Sequence, residues 1–454
     1  MIKWHPSTTS IIRNTKPHRK INAAPPVILA GSFMCLIIIG TFLLMLPNST
    51  THSITWWQSL FTATSAVTVT GLVVVDTGTS FTLFGQTVIA ILIQCGGIGL
   101  MTFAVVTLIA LGGKIGFLQQ VVAKEAFNQT DASMILSVAK SVLLFSLIIE
   151  IIGFVILSIY WHDKLGWAES FYHGFFYTIS AFNNAGFALS SQSLSDYVSD
   201  PVINLTITGL FISGGLGFTV WREVIKSKSW HKLSPYSKAM ISATIIINLL
   251  AFIAIYSIEY NNPNTLQPLS QTGKVLASWF QAVTTRTAGF NTLPIEQMED
   301  ASTVLMLFLM FVGGGSLSTA SGIKVMTFVV LMLAAYSYLR RDKAITLYNR
   351  EITRETVKKA LALTVIYVAT TWLAVFCLLL SEKAPFIDVV FEAISAFGTV
   401  GLSRGLTSSL SGTGEIIIII LMFMGRLGPL TLAYFLASPR TKRLRYPETQ
   451  ITIG

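Results

Sequence analysis

Phe61-Thr-Ala-Thr-Ser-Ala-Val-Thr-Val-Thr-Gly71-Leu72 has three counterparts in this sequence: Phe176-Tyr-Thr-Ile-Ser-Ala-Phe-Asn-Asn-Ala-Gly186-Phe187, Trp279-Phe-Gln-Ala-Val-Thr-Thr-Arg-Thr-Ala-Gly289-Phe290 and Phe391-Glu-Ala-Ile-Ser-Ala-Phe-Gly-Thr-Val-Gly401-Leu402. Each has an aromatic residue ten positions before a glycine, a helix-compatible run, small or polar residues, then Gly and a large apolar side chain. The glycines are 115, 103 and 112 residues apart. One copy reads as an ordinary turn. Four at a near-constant interval read as internal repeats, which decide an architecture before any single element does.

The chemistry such a stretch supports is an ion filter. Backbone carbonyls replace the hydration shell of a potassium ion when several segments present them around one axis. The backbone then takes conformations that a Cβ opposes and glycine tolerates. The run before each glycine reads as a short pore helix entering the membrane part-way. Irregular backbone at that depth is acceptable only where it lines a water-filled cavity or is buried in protein. The candidate ion-binding residues are therefore Thr68, Val69, Thr70 and Gly71; Asn183, Asn184, Ala185 and Gly186; Arg286, Thr287, Ala288 and Gly289; and Gly398, Thr399, Val400 and Gly401. Potassium sites are expected at Gly71, Gly186, Gly289 and Gly401.

Composition agrees with a membrane protein, since 52% of the 454 residues are hydrophobic and 11% charged. Val27–Leu46 is twenty residues without a charge, bounded by Pro25-Pro26 and Pro47. That length crosses a hydrocarbon core of about 30 Å. It exceeds the apolar region of a secretory signal peptide, and further spans follow. Cys35, Cys95 and Cys377 lie far apart in apolar runs, with neither a disulfide framework nor zinc spacing. The six histidines make no ligand cluster.

Further spans are expected at 82–111, 135–160, 202–220, 239–258, 303–339, 360–380 and 415–437, and pore helices at 56–67, 169–182, 273–285 and 387–397. The reading is an all-α polytopic membrane protein. Four parallel span–pore helix–filter–span repeats stand with pseudo-fourfold symmetry around a central ion pore. The divisions are a tail at 1–25, repeats at 26–112, 135–226, 237–340 and 355–437, and a tail at 438–454. Each second span carries a glycine cluster 24 to 28 residues after its filter glycine: Gly96-Gly97, Gly214-Gly215, Gly313-Gly314 and Gly425-Arg426. Small residues there permit close helix contact or leave room for a cavity.

Two spans per repeat return the chain to its starting side. Both tails and the three inter-repeat loops hold 24 of the 31 basic residues, which makes that side cytoplasmic. The net charge of +10 is thus accounted for without nucleic acid. The filters then face outward, with Asp76, Asp163, Asp196, Asp200, Glu296, Glu299 and Asp300. These acids either concentrate cations at a pore mouth or simply belong to solvated loops.

The span 303–339 is too long for one straight crossing and is interrupted by Gly313, Gly314, Gly315, Ser316, Leu317, Ser318, Thr319, Ala320, Ser321 and Gly322. The interruption reads as an irregular loop within the membrane, either a gate or a plain kink. Arg426 stands where the other repeats have their second glycine. A charge at that depth must face protein or water. It either opposes a permeating cation or makes a structural ion pair or carbonyl bonds. Glu150 is a possible partner, and Lys324 has an ordinary cytoplasm-facing position open to it.

On these residues the chain resembles the Trk/Ktr/HKT superfamily of potassium transporters, from about Pro25 to the C-terminus. The short tail before the first repeat makes it closer to the bacterial Ktr-type membrane subunit. The resemblance implies potassium selectivity from glycine in all four filters, a serine in the first being associated with sodium permeation. It implies an intramembrane gate loop at 313–322, a homodimer with a pore in each subunit, a cytosolic KtrA-like nucleotide-binding regulatory ring, and activation by Na+. Nucleotide would act only through that partner. The longer Thr-Val-Gly-Tyr-Gly signature is absent, so fewer ion sites and looser selectivity are expected.

The expected function is K+ uptake through the bacterial plasma membrane, down the electrochemical gradient and without enzyme chemistry. The alternative is a secondary transporter, a cation-coupled symporter of another small solute, whose signs would be inverted repeats and binding sites at broken helices. An intramembrane enzyme would need a nucleophile–base or metal-ligand set that the sequence does not display.

Overall fold

The structure is a computed structural model that describes residues 25–99, 132–316 and 318–428. Both basic tails, the first inter-repeat loop with Lys114 and Lys124, and the distal ends of the 82–111 and 415–437 spans lie outside those residues. The first repeat begins with α1 (Pro25–Leu44) and α2 (Trp56–Thr68), followed by the single turn α3 (Thr77–Ser80) and α4 (Leu83–Gly97). The second contains α5 (Ala132–Phe182), α6 (Pro201–Leu216) and α7 (Phe218–Ser227). The third contains α8 (Pro235–Glu259), α9 (Gln271–Thr284), α10 (Asp300–Phe311) and α11 (Val325–Arg340). After an antiparallel hairpin of β1 (Thr346–Leu347) and β2 (Arg350–Glu351) come α12 (Arg354–Ser381), α13 (Phe386–Gly398) and α14 (Gly412–Leu427).

Local signals start the helices. A reciprocal cap joins Thr55 and Gln58 at the head of α2, with Gln58 N–H donating to Thr55 Oγ1 at 3.3 Å and Thr55 N–H to Gln58 Oε1 at 2.9 Å. Asp200 accepts from the amides of Val202 and Ile203 ahead of Pro201 in α6. In the second repeat the first span and the pore helix are one element, α5, kinked at Gly166 with φ +74°.

The burial pattern is that of a protein in lipid. Phe42, Leu250, Leu373 and Phe376 are each over 60% exposed, an outer surface that hydrocarbon can cover. The interior holds the polar residues, including Thr62, Thr64, Ser65, Thr68 and Thr70. α5, α8 and α12 are each long and apolar enough to cross a membrane, and α6 with α7 has the length and apolarity of one as a bent pair.

The second spans depart from expectation. The run 202–220 is not continuous: α6 and α7 are bent by 96° at Gly217, whose φ is +99°. α4 stops at Gly97 and α14 at Leu427, next to Gly428 with φ +82°; the rest of the expected 82–111 and 415–437 spans lies outside the described residues. In the third repeat α10 stops at Phe311, just before Gly313-Gly314, and the chain stays irregular until α11. In three repeats the cluster serves close contact. A Cβ at Gly96, Gly214 or Gly425 would run into the carbonyl of Val67, Phe182 or Phe397, each four residues before the filter glycine of its own repeat. The missing side chains let the second span lie directly against the last turn of the pore helix.

Candidate functional site

Each pore helix ends in a turn of the same hand. Val69, Asn184, Thr287 and Thr399, two residues before each glycine, are left-handed at φ +58°, +61°, +69° and +48°. The glycines follow at +94°, +69°, +78° and +91°. In the first repeat Thr70 N–H reaches Ser65 O at 2.8 Å and Val69 N–H reaches Ala66 O at 3.1 Å. The second repeat has the same pair at Ala185 and Asn184, and the fourth at Val400 and Thr399. These are Schellman terminations. The third repeat closes differently, with Ala288 N–H on Thr284 O at 3.0 Å. β-branched residues rarely adopt this conformation, so the strain held at Val69, Thr287 and Thr399 marks a constrained site.

The four turns close into a ring. A Cβ on Gly71 would strike the carbonyl of Ala185 and come within 3.2 Å of Gly186 Cα. One on Gly186 would lie 2.7 Å from Gly289 Cα and 3.0 Å from Ala288 O. One on Gly289 would lie 2.6 Å from Val400 O and 3.4 Å from Gly401 Cα, and one on Gly401 would strike Thr70 O and lie 3.1 Å from Gly71 Cα. The order runs one, two, three, four and back to one. Backbone alone fits between neighbours, and the carbonyls of Thr70, Ala185, Ala288 and Val400 sit at the four junctions. The C-terminal ends of the pore helices, where the helix dipole is negative, meet at the same place.

Four hydroxyls pin the ring from behind, and none was singled out from sequence. Ser65 Oγ accepts from Gly71 N–H at 3.0 Å, and Ser395 Oγ from Gly401 N–H at 3.2 Å. Ser180 Oγ donates to Phe187 O at 2.8 Å, and Thr284 Oγ1 to Phe290 O at 2.6 Å. The signal was present in the repeat itself: a hydroxyl residue lies six, six, five and six residues before the four glycines.

Several expected ion ligands turn their side chains away from the ring. Thr68 Oγ1 is bonded to Thr64 O and to Thr70 Oγ1. Asn183 Nδ2 donates to Gln94 Oε1 at 2.6 Å, and Gln94 Nε2 donates to both carboxylate oxygens of Glu150. Glu150 is therefore a support behind the second glycine turn, not the partner of Arg426. Arg286 points to Asn248 and Gly313. Gly398 is the last residue of α13 rather than part of the turn. What these positions offer an ion is backbone only.

The stretch 313–322 is irregular but not unsupported. Val312 pairs with Ile323 in a parallel bridge, and Gly313 N–H donates to Ile323 O at 2.9 Å. Gly315 N–H donates to Gly215 O at 2.8 Å and Thr319 N–H to Gly214 O at 3.2 Å. The freed backbone groups of the loop thus find partners in α6, as burial at this depth demands. Thr319 Oγ1 reaches Asn184 Oδ1 at 2.8 Å, which puts the loop directly against the second glycine turn. Arg426 holds it from another side. One guanidinium nitrogen donates to Thr319 O and, at 3.1 Å, to Ser321 Oγ, and the other to Gly96 O and, at 3.2 Å, to Gly97 O. Of the two readings open for Arg426, carbonyl bonding is the one observed. Lys324 Nζ donates to Ala320 O within the loop at 2.7 Å.

A cavity of about 590 Å³ has Gly71, Gly186, Gly289 and Gly401 in its wall. Of the seven acids expected around a mouth, only Asp76 and Glu296 line it. Asp76 caps α3 through Thr79 N–H, and Asp200 accepts from Tyr160 and caps α6. A second cavity of about 260 Å³ is lined by Ser318, Ser321, Gly322, Lys324 and Arg426 on the loop side.

Residues 6–444 match the family model described as TrkH, cation transport protein. The chain is 46% identical to Ktr system potassium uptake protein B of Bacillus subtilis, over 98% of this chain and 100% of that one. It is 41% identical to the Vibrio alginolyticus protein of the same name, over the whole of both. Potassium/sodium uptake protein NtpJ of Enterococcus hirae is 34% identical over 95% of this chain and 97% of its own. The fold is that of the potassium transporter TrkH from Vibrio parahaemolyticus, with a TM-score of 0.74 at 20% identity, covering 93% of this chain and 86% of that one. This chain, a multi-pass membrane protein, belongs to the TrkH family of cation transport proteins.

Proposed function

We propose that this chain is the membrane subunit of a potassium uptake system, with ions passing through the ring of four glycine turns. The ring carries the reading: four backbone segments meet in cyclic order with no room for a Cβ, and their carbonyls stand at the junctions. Carbonyl dipoles in that arrangement substitute for water around a dehydrated potassium ion. Nearly full-length relatives named as potassium uptake proteins support the same conclusion. A membrane potential of 100 mV supplies about 2.3 kcal/mol per charge, so uptake requires no catalytic residue.

The loop 313–322 is the gate in this reading, and Arg426 is its latch. The chain sits in a bacterial plasma membrane with both termini in the cytoplasm. There it works as a homodimer with a cytosolic nucleotide-binding ring, which displaces the loop by binding one of its positions more tightly than the other. Sodium acts as an activator, a role in keeping with a relative named for potassium and sodium uptake. The test is radioactive rubidium uptake into proteoliposomes holding the purified chain, with and without the cytosolic ring. Potential-driven rubidium entry that potassium competes away is expected. Deleting residues of 313–322 should raise it and reduce its dependence on the ring. Entry of an organic solute instead of rubidium would favour the symporter.

A further inference from the structure

We infer that Arg286 couples the third filter turn to the intramembrane loop, so that an ion in the filter holds the loop in the position seen here. The inference rests on the reading of the ring as the filter and of the loop as the gate. Arg286 stands three residues before Gly289, and its side chain is 8% exposed. Nη1 donates to Asn248 Oδ1 of α8 at 2.9 Å, and Nη2 to the carbonyl of Gly313, the first residue of the loop, at 3.3 Å. Among the described residues the ion pair found is Arg404–Asp388, so the Arg286 charge rests on an amide and a carbonyl, without a carboxylate.

The bland reading is that Arg286 merely fills space behind the filter. Its counterparts in the other repeats argue otherwise. Thr68 bonds within its own turn, Asn183 bonds to Gln94 of α4, and Gly398 has no side chain. Only in the third repeat does this position reach the loop, and that repeat is the one whose second span opens into the loop. A second tether lies further along the loop, from Thr319 Oγ1 to Asn184 Oδ1 in the second filter turn. The loop is thus bonded to the filter turns of two repeats, near its start and past its middle. Arg426 makes its bonds to the loop and to α4, outside the filter.

Displacing the loop takes the Gly313 carbonyl away from a buried guanidinium and the Thr319 hydroxyl away from Asn184. A buried charge that loses a partner seeks another, and a shift of Arg286 to regain one pulls on its own turn, three peptide links from Gly289. An ion coordinated at Ala288 and Gly289 resists that shift. Coupling of this kind is reciprocal: what the filter ion does to the loop, the loop does to the affinity of the filter for its ion.

The experiment uses the full chain in proteoliposomes, with Cys35, Cys95 and Cys377 replaced by alanine and the single substitution Ser316→Cys in the loop. The rate of thiol modification by a charged methanethiosulfonate is read in potassium and in N-methylglucamine. Potassium should slow modification roughly tenfold, the equivalent of one hydrogen bond to a charged group. Adding Arg286→Gln should bring the ratio close to one, Arg286→Lys should leave it intermediate because a single ammonium cannot hold the same two partners, and Thr319→Val should lower it without touching the arginine. Rates indifferent to potassium in the parent overturn the proposal by themselves, whatever the Arg286 variants do. A potassium effect that survives both Arg286→Gln and Thr319→Val also overturns it. Loop deletion separates the two claims. If deletion raises flux while modification ignores potassium, the gate stands and the coupling falls. If deletion changes nothing, the gate reading falls first.

Discussion

Replacing Arg426 with alanine should open the pore. The side chain joins the loop, through Thr319 O and Ser321 Oγ, to the end of α4, through Gly96 O and Gly97 O. Hydrogen bonds from a charged group are worth about 1.5–3 kcal/mol each. Water entering the space left behind replaces part of that. A net loss of about 2–3 kcal/mol from the closed arrangement shifts its equilibrium roughly 30- to 150-fold toward the open one, at 1.36 kcal/mol per factor of ten. Rubidium uptake into proteoliposomes without the cytosolic ring should rise accordingly, up to the ceiling set by a fully open pore. Arg426→Lys discriminates between two ways in which a cation could restrain conduction. A lysine keeps the charge but cannot hold the loop and α4 together. If Arg426 acts as a latch, the lysine variant also conducts faster. If it acts by repelling ions, that variant stays slow. A folded alanine variant with unchanged or reduced flux would refute the latch.

Gly71→Ser places a Cβ at φ +94° and against the Ala185 carbonyl. The conformation alone costs about 1–2 kcal/mol, and displacing that carbonyl should lower the potassium-over-sodium permeability ratio about tenfold, read from reversal potentials. Ser65→Ala combined with Ser395→Ala removes the acceptors of Gly71 N–H and Gly401 N–H. A loss of about 1 kcal/mol each should erode the same ratio more mildly while leaving the thermal stability in detergent largely intact. Arg404→Ala breaks the pair with Asp388 and the bond to Thr303 Oγ1 at 2.8 Å. With the arginine side chain only 11% exposed, thermal unfolding should show a loss of about 2 kcal/mol, and selectivity should not change.

What the sequence discloses follows from what repeats. Glycine is the residue that these four ring positions admit, so the four turns stand out at near-regular intervals, and the short helices before the first, third and fourth fall within two residues of their expected bounds, while the second runs on from its first span in α5. Gly96, Gly214 and Gly425 are legible for the same reason, since they mark where three of the second spans meet a pore helix. The bend at Gly217 is not legible, because an apolar run with one more glycine has the composition of a straight span. Side-chain direction is also hidden. Arg286, Asn183 and Thr68 occupy one repeat position and turn to three different partners, each fixed by an element distant in sequence or by the turn itself. The partner of Glu150 is Gln94, 56 residues earlier. A charge inside a span announces that a partner exists without saying which one.

The central claim is that ions pass between the carbonyls of Thr70, Ala185, Ala288 and Val400. Anomalous diffraction from crystals grown in rubidium locates the ion directly. A peak on the axis of the four-glycine ring, within coordination distance of those carbonyls and lost when sodium replaces rubidium, is the expected result. An empty ring, with rubidium bound elsewhere in a chain that still transports it, would contradict it.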